Sequence, residues 1–299
     1  MVKILLLTEG CQHGKSIINN NNMKKLKDFG FSTDNNTYII AEIGINHGGD
    51  ISVAKQLIDS AARTGADAVK FQTYLTEKRV SKDSPIFDIL KKCELPFEAF
   101  KELQIYSKRK NIEFFSTPFD IESVDYLESI NVGLYKIASF DIGNMDLLVK
   151  VAKTNKTIIM SVGMSNVDEI TKAYNCIKEY NGKIALLHCV SAYPTDEIDS
   201  NISAIFSLNE NFKDCIIGQS DHTNDIDVPI YSVCSGAQIL EKHFKINESM
   251  ECIDAPVSIT ELQLKNLVIQ TRRIEKIMGS SKLQIRDCEK GSLIYRRKS

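Results

Sequence analysis

Residues 38–46 read YIIAEIGIN, an apolar run that closes on polar side chains. Seven runs of the same kind follow: Ala68–Tyr74, Glu113–Phe119, Leu134–Ser139, Thr157–Gly163, Ile184–Val190, Cys215–Asp221 and Gln238–Phe244. Helix-like stretches separate them. Ser52–Thr64 places Val53, Leu57, Ile58 and Ala61 on one stripe, Pro96 opens a helix running to about Lys110, and Asn166–Tyr180 and Asp227–Ser235 follow. Ile259–Met278 is the last, with Gly279 as its C-cap. Strand and helix in alternation predict a parallel sheet, and eight such units close a (β/α)8 TIM barrel, an α/β fold. The long connection Leu75–Leu95 is expected either to cover the barrel mouth or to be partly helical. Residues 1–37 read as an N-terminal extension whose Val2–Leu7 strand candidate suggests a hairpin capping the barrel bottom; 38–279 is the barrel, and 280–299 a linker-like tail.

With 299 residues, 43% hydrophobic and 25% charged, the chain is composed like a soluble one-domain protein. A net charge of −2 gives no support for a nucleic-acid or membrane partner, so any anion site must be local. No stretch approaches the roughly 18 apolar residues of a membrane span. The eight cysteines form no C-x-x-C pair, and several sit in apolar runs, which predicts reduced thiols in a cytoplasmic protein.

In such a barrel, polar residues at the C-terminal strand ends meet at one mouth. That rule gathers Glu42, Lys70, Gln72, Ser116, Thr117, Lys136, Ser139, Ser161, His188, Ser220, His222 and His243. Glu42 is either a group that binds a hydroxyl or moves a proton, or a buried structural carboxylate. Lys70 requires an anion, since an unpaired buried ammonium costs several kcal/mol; Glu42 or a bound carboxylate or phosphate would serve. A second lysine, Lys136, stands with Ser139 at the same level, and with Ser161 and Ser220 the set suits the oxygens of a phosphate. His222 and His243 close adjacent strands, so both imidazoles can share one divalent metal, Mn²⁺ or Mg²⁺ if oxygen ligands complete it.

Taken in order, AEIGINHGG, KFQ, STPFD, KIAS, S-x-GM, LHC-x-x-x-YPT, SDHT and EKHF resemble the sialic acid synthase family over Tyr38–Met278, the barrel portion. The resemblance implies a transferase that condenses phosphoenolpyruvate with an N-acyl mannosamine-type sugar to give a nonulosonic acid and phosphate. It implies a metal, Mn²⁺ first, on His222 and His243 that polarises the open-chain aldehyde. Lys70, Thr117, Lys136, Ser139, Ser161, Ser191 and Ser220 would hold phosphoenolpyruvate, and Gln72, Tyr193 and Asp254 the sugar. Glu42 and Asp141 join the histidines as catalytic candidates, with Asp221 expected to orient a metal ligand or water.

Asp141 stands where many family members have Glu, and Ser191 where well-known ones have Asn, leaving neuraminic, legionaminic and pseudaminic types open. Family members carry a C-terminal antifreeze-like domain after an R-R-x-S segment. That domain reaches into a partner barrel, so a homodimer is among the expectations; here the R-R-x-S match is Arg296–Ser299. Two other functions compete: another phosphoenolpyruvate–aldose condensing enzyme, and a sugar- or phosphate-binding barrel without turnover.

Overall fold

The computed structural model describes residues 24–280 and 282–297. Eight parallel strands close a barrel in sequence order: β1 (Tyr38–Gly44), β2 (Ala68–Thr73), β3 (Glu113–Pro118), β4 (Leu134–Ile137), β5 (Thr157–Ser161), β6 (Ile184–Cys189), β7 (Ile216–Asp221) and β8 (Ile239–His243). The expected (β/α)8 barrel is therefore the fold. The helices are α1 (Ile51–Thr64), α2 (Thr76–Arg79), α3 (Phe87–Cys93), α4 (Phe97–Arg109), α5 (Ile121–Ser129), α6 (Met145–Ala152), α7 (Val167–Lys178), α8 (Ala204–Asn211), α9 (Asp227–Cys234) and α10 (Glu261–Met278). α5, α6 and α8 are short, with eight or nine residues each, too few for an apolar stripe to stand out from sequence.

Local chemistry starts these helices where the strands end. Asp50 accepts from Ser52 N and Val53 N at the head of α1, and Asp120 caps α5 through Ser123 N. Asn166 with Glu169, and Thr260 with Gln263, form capping boxes on α7 and α10. Each such cap is worth about 1 kcal/mol.

Strand side chains alternate faces, so every second residue enters the barrel. Tyr38, Ile40, Ala68, Phe115, Leu134, Ile159, Ala185, Leu187, Ile216 and Ile239 fill its lower half, joined from below by Leu26 and Phe31. Gly218 lies among them because a Cβ there would stand 2.4 Å from the Ile239 carbonyl oxygen. Residues 24–37 close the bottom: a 3-10 turn, Leu26–Phe29, seats Leu26, and Asp67 ties the entry into β1 by accepting from Ile39 N (2.8 Å) and Thr33 Oγ1 (2.9 Å). The Val2–Leu7 strand candidate and its hairpin lie outside the described residues. Outward-facing side chains such as Ile39, Val69, Phe71 and Leu186 form the larger core against the helices.

The connection between β2 and α4 is partly helical, contributing α2 and α3. It is fastened by Tyr74 Oη donating to Leu90 O (2.9 Å), by Leu75 N donating to Asp120 (2.8 Å) and by Thr76 donating to Glu94. Residues 24–279 form one compact unit; beyond it, Asp287–Tyr295 adopts 3-10 turns. Among the described residues no helix is long and apolar enough to cross a membrane, and all seven described cysteines are free thiols.

Candidate active site at the barrel mouth

Above the apolar lower half, the same alternation sends ionic side chains inward. Lys70, two residues beyond Ala68, places Nζ 2.9 Å from Glu42 Oε2 and 3.6 Å from Glu241 Oε1. Lys136 on β4 stands 3.6 Å from the same Glu241 oxygen, to which Ser220 Oγ donates at 3.0 Å. Lys70 also donates to Thr117 Oγ1 (3.2 Å), and Lys136 to Ser161 Oγ (2.7 Å). All these groups are buried. Two ammoniums, two carboxylates and three hydroxyls thus form one network at the upper end of the barrel.

The two carboxylates are pushed in opposite directions. Burial raises the Glu42 pKa, and neighbouring Lys70 does not fully offset it. Burial acts on Glu241 too, but Lys136 and Lys70 outweigh it and hold Glu241 well below the usual carboxylate range. Lys70 stays above its ordinary value despite burial because Glu241 and Glu42 face it, whereas burial pulls Lys136 down. Glu241 is therefore the fixed negative charge and Glu42 the group able to take up a proton. Glu241 was not among the sequence candidates, although it stands two residues before His243 and so shares its face.

His222 and His243 lie side by side, with ring centroids 5.4 Å apart. His222 Nδ1 lies 2.8 Å from Val190 O, and His243 Nδ1 lies 3.3 Å from Asp254 Oδ2. Both Nδ1 atoms are turned to oxygens, the arrangement that leaves Nε2 for a ligand. Asp254 is itself placed by Asn46, whose Oδ1 accepts from Asp254 N (2.9 Å) and whose amide donates to Phe244 O and Ser258 Oγ. Tyr193 stacks on His222 at 4.1 Å between centroids. No group of three His, Cys, Asp or Glu poised for a metal occurs among the described residues.

Gln72 donates to Glu42 Oε1 (3.3 Å) and accepts from Arg79 Nη1 (3.0 Å). Ser139 Oγ accepts from Gly163 N (3.0 Å), and a Cβ on Gly163 would meet Ser191 Oγ at 2.5 Å and Ser139 Oγ at 3.0 Å. Ser139 and Ser191 thus share the rim beside Gly163. Asp141, just past β4, has a buried Oδ2 with no hydrogen-bond partner among the described residues.

Three residues do not take the places expected for them. Ser116 faces outward and hydrogen-bonds Thr73 Oγ1 (2.7 Å), because its neighbours Phe115 and Thr117 point in. His188 also faces outward, its Nε2 2.8 Å from Ser200 O. Asp221 points away from the histidines and pairs with Lys242 (2.6 Å) while accepting from Thr223 Oγ1. In each case one step along a strand reverses the face. Arg79, from α2, is a mouth residue that carried no periodic signal.

The sequence and its barrel have counterparts among known proteins. Residues 57–283 match the NeuB family. The chain belongs to the NeuB family. A Methanocaldococcus jannaschii protein of uncharacterised function is 43% identical over 265 residues, covering 88% of this chain and 78% of its own. The N,N'-diacetyllegionaminic acid synthase of Campylobacter jejuni is 39% identical over 280 residues, with 88% and 84% covered. Among solved structures, an N-acetylneuraminic acid (sialic acid) synthetase from Leptospira borgpetersenii, in complex with citrate, aligns with a TM-score of 0.85 at 40% identity over 87% of this chain and 91% of that one.

Proposed function

We propose that this NeuB-family chain condenses phosphoenolpyruvate with an N-acyl mannosamine-type sugar, giving a nonulosonic acid and phosphate. The observation that carries the reading is the pair of buried ammoniums, Lys70 and Lys136, set against one firmly ionised carboxylate, Glu241. Both lysines converge on the single Glu241 oxygen, and burial disfavours the ionised form of Glu42, so the network can present its positive charge to a small, multiply charged anion. The hydroxyls of Thr117, Ser161 and Ser220, with Ser139 and Ser191 at the rim, supply donors for phosphate and carboxylate oxygens. Synthases of sialic and legionaminic acids among the relatives support the same chemistry.

Phosphoenolpyruvate C3 would attack the sugar aldehyde carbon, forming the new C–C bond. Water would then add at C2, and phosphate would leave by C–O cleavage. His222 and His243 fit a divalent metal, Mn²⁺ in first place and Mg²⁺ in second, which when bound would polarise the aldehyde oxygen as a Lewis acid. Asp254 orients His243, and Tyr193, stacked on His222, forms the wall of the sugar side. Glu42 sits within reach of Gln72 and Lys70 and would hold or release the proton exchanged with water or a sugar hydroxyl.

The test is incubation with phosphoenolpyruvate, Mn²⁺ and a panel of 2-acetamido and 2,4-diacetamido hexoses, following phosphate release and product mass. Sugar-dependent phosphate with a product of the condensed mass supports synthesis. Sugar binding with no phosphate release from any member of the panel would instead make this a binding barrel.

A further inference from the structure

Arg79 is a half-buried cation that makes no ion pair among the described residues. Its guanidinium lies 3.7 Å from the Phe119 ring centroid and 4.7 Å from that of Tyr74, and its one hydrogen bond among the described residues goes to Gln72 Oε1. Among the described residues no carboxylate lies within 4.0 Å of the guanidinium. The stacking and the Gln72 bond hold the guanidinium plane in place, while most of its N–H donors are unused. Its charge nonetheless acts on Asp141, whose Oδ2 is buried and unpartnered. Arg79 keeps unused donors beside Gln72 at the mouth, and Asp141 keeps an unused acceptor at the end of β4; together they offer complementary bonding to a group that accepts at one end and donates at the other.

Resting on the synthase reading above, we propose that Arg79 is a specificity-determining residue that binds an acylamino group of the sugar. The guanidinium donates to the acyl carbonyl oxygen, Asp141 Oδ2 accepts from the amide N–H, and the partly exposed Phe119 ring offers apolar surface to the acyl methyl. A phosphorylated sugar fits less well here: a phosphate dianion gives Asp141 no donor and would be repelled by Glu42, Asp254 and Asp141, whose charges already act on Arg79 from a distance. The group recognised at Arg79 is neutral and polar, an amide.

Arg79→Met keeps an apolar stem against Phe119 and removes the fork; Arg79→Lys keeps the charge alone. Kinetics are measured with the acylamino sugar that the wild type prefers and with its analogue bearing hydroxyl in place of that acylamino group. Arg79→Met is expected to raise KM for the acylamino sugar at least tenfold, to leave KM for phosphoenolpyruvate within twofold, and to erase the preference over the hydroxyl analogue; Arg79→Lys restores only part. An unchanged preference, or a change confined to the phosphoenolpyruvate KM, overturns the proposal. Should the wild type turn over no sugar, the synthase reading fails separately, and calorimetric binding of N-acetylmannosamine and a 2,4-diacetamido hexose to both proteins decides about Arg79. Binding by the wild type that is tenfold weaker in Arg79→Met upholds the assignment; equal binding, or none to either protein, ends it.

Discussion

Glu241→Gln preserves the shape of the side chain at the centre of the mouth and removes only its charge. Glu241 Oε1 stands 3.6 Å from both Lys70 Nζ and Lys136 Nζ. At an effective dielectric of about 20, each contact represents about 4–5 kcal/mol of Coulomb energy. Part is recovered, because glutamine no longer bears the cost of burying a carboxylate and Lys136, already pulled down by burial, can release its proton. Lys70 keeps Glu42 at 2.9 Å, whereas Lys136 retains, among the described residues, Ser161 and the Ile137 carbonyl. Removing one partner from a buried ionic group costs about 3–5 kcal/mol, and the same loss is expected here from urea unfolding followed by circular dichroism. Saturating phosphoenolpyruvate should restore more stability to the variant than it adds to the wild type, because its negative charge takes up the stranded ammonium. A loss below about 1 kcal/mol at unchanged m-value, within the range of an ordinary surface change, would refute the view that Glu241 balances both lysines.

Gly163→Ala places a Cβ 2.5 Å from Ser191 Oγ and 3.0 Å from Ser139 Oγ. It should raise the KM for phosphoenolpyruvate about tenfold, roughly one displaced hydrogen-bonding group, with melting temperature nearly unchanged; an unaltered KM would take these serines out of substrate binding. Gly218→Ala drives a Cβ to 2.4 Å from the Ile239 carbonyl oxygen, and should destabilise the barrel by about 3 kcal/mol through overpacking. A wild-type thermal midpoint for this variant would show that β7 and β8 can separate freely. Asp67→Asn weakens the clasp from Arg272 (2.9 Å) and Ile39 N (2.8 Å) at the barrel bottom. A loss of about 2–3 kcal/mol without change in either substrate KM is expected, and an altered sugar KM would contradict the separation of the two barrel ends. His243→Ala should abolish binding of Mn²⁺ measured by electron paramagnetic resonance while leaving the far-ultraviolet circular dichroism intact; retained Mn²⁺ affinity would remove His243 from the metal role.

Much of the fold was legible because a barrel strand repeats every two residues and announces itself locally. The same repeat, followed strictly, sorts the rim: Glu42, Lys70, Lys136, Ser161, Ser220 and His243 each sit an even number of residues beyond an inward apolar side chain of their strand. Ser116 and His188 fail that parity and face the helices, and Glu241 satisfies it. Attention to parity rather than to the last polar residue of each run would have found all three. Arg79 lies in a connection with no repeat, so nothing in the order of residues foretold its stacking on Phe119.

The sequence by itself determined that eight strands alternate with helices, about where five of the helices begin, and which polar residue types end the strands. Only the tertiary structure decided which charges meet. Lys70, Lys136 and Glu241 come from β2, β4 and β8, and their convergence on one oxygen depends on closure of the sheet, which brings side chains from opposite walls to one height. Hydropathy is written residue by residue along the chain, whereas Coulomb energy falls with distance through space, and that distance exists only once the barrel has closed.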